Sequence, residues 1–246
     1  MKHSIYIIIF ILSSSTLFTA CKDDTPEPTQ KAKLSVVITP KVNGNALLWD
    51  TLLYTNVLQQ KFVVNTLKYF MSNAKLYKIN GDSVLLKDIL YVDGRDATLG
   101  TFSKEIEPTT FARFSIVFGI PKKDNVTGMF TYSPESNMEW PIGMGGGYHY
   151  MKFEGKHTNS QNVVKNFQTH TGPLAGKDYS IQYNFPINLT IDKTDKNIEL
   201  ILHLDRWMST PNQLDLNDLT MIMGNAEMQA KLQTNGQDVL ELGKIK

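Results

Sequence analysis

The sequence has almost no cysteine and no excess charge of either sign. Cys21 is the only cysteine among 246 residues, which excludes an internal disulfide and any multi-thiolate metal site. The 25 basic and 24 acidic residues are interspersed, whereas nucleic-acid-binding proteins usually carry a basic excess or stripe. We therefore expect no nucleic-acid partner, and a fold that its hydrophobic core alone must stabilise.

The N-terminal apolar run is too short to span a bilayer. Residues 5–12 are uniformly apolar, but a transmembrane helix needs roughly 20 such residues. The run follows Lys2 and precedes the small residues Thr19 and Ala20, which is the arrangement of a signal peptide. Because Cys21 comes next, residues 1–20 resemble a bacterial lipoprotein signal, cut before the cysteine that takes a diacylglycerol. The alternative is an ordinary signal peptide beside a chance cysteine.

A lipid on Cys21 would anchor the protein to a membrane. The following Lys-Asp-Asp at 22–24 is similar to a surface-export signal of Gram-negative lipoproteins. We expect an outer-membrane lipoprotein exposed at the cell surface, with the periplasmic face as the alternative. Residues 21–32 are polar and contain two prolines, which predicts a flexible tether. The predicted domain then spans residues 33–246.

Short alternating segments fill most of that domain. The run 112–120 puts Ala112, Phe114, Ile116, Phe118 and Ile120 on one predicted face. Asn-Gly-Asp at 80–82 separates two strand-like runs and predicts a hairpin. Many short strands with turn signals between them indicate one all-β domain, a β-sandwich of the immunoglobulin-like kind.

One helical pattern is present, near the C-terminus. It spans about residues 215–233, and Gly224 interrupts it, so that it forms one or two short helices. Gly236 is the predicted C-terminal stop.

Three consecutive glycines, Gly145 to Gly147, precede the aromatic-rich sequence YHYMKFEGKH. They lack the spacing and the following helix of a phosphate-binding loop, so they predict a turn that leads into a strand. Within that strand His149 has two interpretations: a histidine hydrogen-bonded inside the core, or a ligand of a soft metal. The second interpretation rests on a cluster of imidazole and thioether groups, which suit Cu(I). The cluster comprises Met138, Met144, His149, Met151, His157 and His170.

The order of several segments resembles the MbnP-like domain family. These segments are LKYFMSNAKL at 67–76, FSIVFGIPKKDN at 114–125, MEW at 138–140, GGGYHYMKFEG at 145–155, FQTHTG at 167–172, WMSTPNQLDLN at 207–217 and NGQDV at 235–239. The resemblance implies an extracytoplasmic copper-binding β-protein, often a lipoprotein. It also implies that a partner di-haem peroxidase-like protein oxidises a tryptophan of a Met-x-Trp-x-Trp segment to kynurenine, which helps histidines to hold copper.

The family's site residues transfer to this chain only in part. Trp140 matches the first tryptophan of that segment, and His170 matches the histidine of a Phe-x-x-His-x-Gly segment. The second tryptophan position holds Ile142, and a histidine position of many relatives holds Pro40. We expect His149, with Met144, to compensate. The predicted copper site therefore comprises Trp140, Met144, His149 and His170.

The remaining histidines and tryptophans have structural interpretations. We expect His157 to be exposed at a strand end, His203 to be structural, and Trp49 and Trp207 to lie in the core. The chain has no Gly-x-Ser-x-Gly elbow, no His-Glu-x-x-His segment and no recognisable carboxylate pair, with Glu154 at most a lone candidate. It is therefore not expected to be an enzyme.

Three functional hypotheses follow from these observations. The first is a copper-binding lipoprotein that serves metal capture or electron transfer. The second is a relative that has lost the metal site and binds a partner protein or glycan through exposed aromatics such as Tyr132 and Tyr148. The third is a structural component of the envelope.

Overall fold

The computed structural model describes residues 30–246 and arranges their strands in two β-sheets. The predicted signal peptide at 1–20, the predicted lipidation site Cys21 and most of the predicted tether lie outside these residues. Side chains from both sheets form one main hydrophobic core, with Val36 and Leu200 contributed by one sheet and Phe118 and Phe153 by the other. The predicted β-sandwich is confirmed.

The strands form sheets of five and seven members. The smaller has the order β12-β11-β1-β2, with β6 also paired to β1; the larger has the order β10-β7-β4-β8-β9, with β3 and β5 also paired to β4. The strands are β1 Ala32–Val42, β2 Asn45–Ala46, β3 Tyr54–Thr55, β4 Lys61–Tyr77, β5 Ser83–Asp93, β6 Thr101–Ile106, β7 Thr109–Phe118, β8 Met151–Thr158, β9 Val164–Thr171, β10 Ile181–Ile191, β11 Lys196–His203 and β12 Leu240–Ile245. β1 and β11 are parallel. The predicted hairpin at 80–82 joins β4 to β5.

The alternation predicted for residues 112–120 holds over most of β7. The core-facing residues are Phe114, Ile116 and Phe118, whereas Ile120, predicted with them, lies beyond the end of β7 and packs in a separate cluster. Ala112 was predicted on the same face but is exposed, while Phe111 is buried. The pairing of β7 with β10 shifts register between Pro186 and Leu189, directly opposite this point. Such an irregularity breaks the two-residue period, so the prediction for Ala112 was wrong.

The C-terminal helical pattern forms one short α-helix, α1, at Ala226–Asn235, preceded by a single 3₁₀ turn at Leu216–Asp218. The Asn225 side chain caps α1 by accepting a hydrogen bond from the Met228 N–H at 3.0 Å. α1 ends just before Gly236, as predicted. Within residues 30–246, no helix combines the length and the apolar character needed to cross a membrane.

A long connection between β7 and β8, residues 119–150, covers the outer face of the larger sheet. On β4, Tyr69 and Met71 belong to the main core, whereas Phe70 between them belongs to a second cluster. Because neighbouring residues of a strand face opposite sides, this cluster lies on the other face of the sheet. It comprises Phe70, Tyr91, Ile120, Met138 and Tyr148. The connection thereby brings residues 138–150 against the sheet.

Candidate metal centre

The triple glycine forms the predicted turn. Gly145, Gly146 and Gly147 have φ values of 128°, 68° and 83°, a left-handed region that other residues rarely adopt. The chain reverses here, so that the Trp140 N–H donates to the Gly147 carbonyl at 2.8 Å. Glu139 and Tyr148 form an isolated antiparallel bridge on the same turn. The turn therefore places Trp140 beside the residues that lead into β8.

Trp140 is completely buried. Its indole lies against Gly172, where an added Cβ would come within 2.6 Å of the indole atom Cε3. The indole Nε1 has no hydrogen-bond partner among residues 30–246. A buried donor without an acceptor costs about 1–3 kcal/mol. Close packing thus fixes the Trp140 indole in a position where its Nε1–H is still available to donate a hydrogen bond.

His149 lies directly beside Trp140, with the ring centroids 4.7 Å apart and the rings nearly perpendicular. Its Nδ1 is 2.9 Å from the Met138 carbonyl oxygen. A carbonyl can only accept, so Nδ1 carries the hydrogen and Nε2 carries the lone pair. Burial, with the Lys152 ammonium nearby, lowers the pKa of His149 to about 3. The ring is therefore neutral at ordinary pH and is available as a ligand through Nε2.

His170 extends the row of rings. Its centroid is 5.1 Å from that of His149, again nearly perpendicular. His170 Nε2 is 2.7 Å from Glu154 Oε1, and this hydrogen bond lowers the pKa of the Glu154 carboxyl. An ionised carboxylate accepts, so His170 Nε2 is the donor. Both imidazoles therefore use one nitrogen to bind a protein oxygen.

The helix α1 supports the end of this row. Gln229, which is fully buried, donates from Nε2 to the His170 carbonyl oxygen at 2.9 Å. The same side chain accepts from the Gly172 N–H at 3.3 Å. The Gln229 amide thus fixes the backbone on both sides of Thr171, next to the Gly172 contact with Trp140.

The structure brings together three of the four predicted site residues: Trp140, His149 and His170. Met144 packs instead in a separate cluster with Tyr150, Leu174 and Tyr179. Within the described part of the chain, no three His, Cys, Asp or Glu side chains are arranged to hold a metal ion by themselves. Any metal bound here would therefore use the two imidazoles with a different third donor.

Sequence reasoning did not find the role of Glu154. Glu154 and His170 lie 16 positions apart, and only the β8–β9 pairing makes them diagonal neighbours, because Lys152 is opposite His170 and Glu154 is opposite Gln168. A diagonal pair of long side chains is within reach across two strands. In the sequence, Glu154 is recognisable only as a carboxylate near the predicted site residues. Its contact with His170 can be recognised only once the register of β8 and β9 is known.

The prediction that His157 is exposed was wrong. Its exposed fraction is 0%, and within the described part of the chain neither ring nitrogen has a hydrogen-bond partner. β8 alternates with Met151, Phe153 and Gly155 buried, and His157 continues that face. Burial lowers the pKa of His157, and the Asp215 carboxylate partly offsets this effect. Extending the alternation by two residues would have placed the ring in the core.

Other single-residue predictions had mixed outcomes. Trp207 is buried in the main core as expected, but Trp49 is only half-buried at its rim, where the Arg95 guanidinium lies 4.5 Å above the ring. Tyr132 is 80% exposed, as predicted. Tyr148 was predicted to be exposed as well, but it is buried because the connection 119–150 folds over it.

His203 fits a structural interpretation. It is buried at the end of β11, and its Nε2 lies 3.0 Å from Glu241 Oε2 on β12. Arg206 binds the same carboxylate oxygen at 3.1 Å. This imidazole–carboxylate pair belongs to the smaller sheet, away from the strands that carry His170, and it provides a matched control for that site.

Comparison with known proteins gives one family. A family model, MbnP, matches residues 31–228. A search of curated proteins found no match. Among solved structures, MbnP from Methylosinus trichosporium is similar, with 12% sequence identity and a TM-score of 0.47 over 75% of this chain and 80% of that chain.

Proposed function

The chain belongs to the MbnP family, since the family model spans most of it, and we propose that it binds copper at Trp140, His149 and His170. The observation that carries this proposal is the row of closely packed rings, in which Trp140 and His149 are buried and His170 is half-buried. The ring centroids are 4.7 Å and 5.1 Å apart, and each imidazole has one nitrogen bound to a protein oxygen and one nitrogen free.

The donor set of this row fits copper. Neutral imidazole is a good copper ligand, and it needs no deprotonation at ordinary pH. Burial keeps His149 neutral, while Glu154 supplies a negative charge beside His170 that would balance part of a bound cation's charge. Bound copper would supply either a one-electron redox centre or a cargo for metal capture. The protein's own part is to hold the two rings in fixed orientations.

Trp140 would contribute the third donor after oxidation. The family resemblance implies kynurenine at this position, formed with a partner di-haem peroxidase-like protein. Oxidative cleavage of the indole Cγ–Cδ1 bond by a peroxide oxidant at that partner, with Cδ1 released as formate, would replace the unpartnered Nε1 donor with an amine and a ketone. Because Trp140 already contacts His149, these new polar groups would lie next to the imidazole row.

We further propose that the protein acts without catalysis, as a lipoprotein anchored through Cys21 to the outer membrane. A metal-capture or electron-transfer role at the envelope agrees with the signal-like residues 1–20 and with the near-neutral charge. Surface display is supported by the Lys-Asp-Asp at 22–24, with the periplasmic face as the alternative.

Elemental analysis of protein purified from its native envelope, with peptide mass spectrometry across Trp140, tests this function. About one copper per chain and an oxidised Trp140 are expected. His149→Ala and His170→Ala should each lose copper, while His203→Ala, which removes an imidazole–carboxylate pair on the other sheet, should retain it. Copper content unaffected by both site variants would place the metal elsewhere.

The alternative function is docking of a partner protein or glycan. It is favoured by the exposure of Tyr132 at 80% and Ile142 at 78% on the same connection, 119–150. Copper-free native protein with an intact Trp140 would support this function in place of copper binding. A Tyr132→Ser variant with weakened partner or glycan binding would then identify the surface.

A further inference from the structure

We propose that Glu154 is a positioning residue, which holds His170 in the tautomer with hydrogen on Nε2 and so makes Nδ1 its metal-binding atom. This inference rests on the proposed function and specifies how the site is built. Its basis is the 2.7 Å hydrogen bond between His170 Nε2 and Glu154 Oε1. An imidazole held by a carboxylate through one nitrogen is a stronger donor through the other.

The sheet register makes this hydrogen bond a fixed feature. β8 and β9 pair without a shift from Met151 to Thr158, so the diagonal relation of Glu154 to His170 is set by continuous backbone pairing. Lys152, which is directly opposite His170, is held by a separate contact, since its Nζ donates to the Asn137 carbonyl at 2.7 Å. The Lys152 ammonium therefore has its own acceptor, and Glu154 Oε1 accepts the hydrogen bond from His170.

The two imidazoles then present different nitrogens. The Met138 carbonyl takes the Nδ1 hydrogen of His149, which leaves Nε2. Glu154 takes the Nε2 hydrogen of His170, which leaves Nδ1. We therefore infer a mixed Nε2/Nδ1 ligand pair, in which a backbone oxygen sets one tautomer and a carboxylate sets the other.

The tautomer itself can be measured without copper. Long-range proton–nitrogen correlation spectra of the ¹⁵N-labelled, metal-free mature protein would report which His170 nitrogen is protonated. We expect Nε2–H in the wild type and in Glu154→Gln, whose amide oxygen still accepts. Glu154→Ala should give a mixture of the two tautomers. A His170 tautomer that is the same in Glu154→Ala as in the wild type would overturn the inference.

Copper affinity provides the second readout. Competition with a chromogenic Cu(I) chelator should give roughly 10–100-fold weaker binding for Glu154→Ala, and an intermediate loss for Glu154→Gln, which keeps the acceptor and removes the charge. Glu241→Gln, the matched change at the His203 pair, should bind as the wild type does. Affinities of both Glu154 variants within twofold of wild type would contradict the positioning role.

The two proposals fail in distinguishable ways. Wild-type protein that binds no Cu(I) would overturn the proposed function, whatever the tautomer of His170. Wild-type protein that binds Cu(I), loses it in His170→Ala and keeps full affinity in Glu154→Ala would leave the function standing and overturn the inference about Glu154. Circular dichroism of each variant checks that the sheet is intact.

Discussion

The contact between Gly172 and Trp140 predicts a specific loss of stability in Gly172→Ala. The added Cβ would lie 2.6, 2.7 and 2.8 Å from the indole atoms Cε3, Cδ2 and Cζ3. Trp140 is fully buried, its backbone N–H donates to the Gly147 carbonyl, and its indole ring packs on His149. The indole therefore has little room to move away from the added Cβ. The clash must instead displace Trp140 together with the residues packed against it.

The expected cost is that of adding one carbon to a well-packed interior, about 1–3 kcal/mol. For a domain of this size each kcal/mol lowers the melting temperature by roughly 2–4 °C, so Gly172→Ala should melt roughly 2–12 °C below the wild type. The displaced indole should also change the tryptophan emission of the folded protein and weaken the proposed copper binding, because Trp140 and His149 are in contact.

Gly143→Ala is the matched control. Gly143 belongs to the 3₁₀ turn at Ile142–Met144, has no atom within 4 Å of an added Cβ, and does not have a positive φ. It should be neutral or slightly stabilising, by about 0.4–1 kcal/mol. Thermal and urea unfolding of the two variants provide the measurement. If Gly172→Ala melted together with Gly143→Ala and kept wild-type emission, the packing argument would be refuted.

Three further predictions concern other buried polar groups. His157→Leu should raise the free energy of unfolding by about 1–3 kcal/mol, because it removes two unpartnered ring nitrogens; a loss of stability in urea unfolding would contradict this. Because burial holds the pKa of His157 below its ordinary value of about 6.5, the unfolded chain binds more protons, and stability should fall as the pH falls below about 6.5. The fall should be shallower in His157→Leu, and equal slopes would argue against a neutral buried ring. Asn125→Ala should lose about 2 kcal/mol in urea unfolding, because Asn125 accepts from the Tyr148 N–H at 2.7 Å and donates to its carbonyl at 3.0 Å; Lys123→Ala on the same loop should lose much less.

The fold class was predictable because its signals are local. The Asn-Gly-Asp turn at 80–82 needs only its own conformation to join β4 to β5, and the alternation of Phe114, Ile116 and Phe118 needs only the strand period. Ala112 marks the limit of that argument. Its face depends on a register shift in β10 that no pattern within β7 encodes.

Three of the four residues predicted for the candidate site lie together and Met144 packs elsewhere, and the geometry of the cluster was not predictable. Trp140, His149 and His170 are recognisable by type and order, and they do converge. Glu154 was not recognisable as their neighbour, because its contact depends on how β8 and β9 align. Tyr148 was misjudged for a related reason: the ring of Phe130 lies 4.8 Å away, brought there by a connection whose path the sequence pattern does not describe.

The parallel pairing of β1 with β11 has a consequence for the order of assembly. Leu34 pairs with Lys196, so the first strand has no parallel neighbour until most of the chain has emerged. The β8–β9 hairpin, by contrast, joins residues that are close in sequence and can close early. A chain cut before β11 would retain the residues of the imidazole row but would leave one side of β1 unpaired, and unpaired strand edges recruit other chains. The C-terminal strands therefore protect the newly synthesised chain against self-association, while the β8–β9 hairpin depends on them much less.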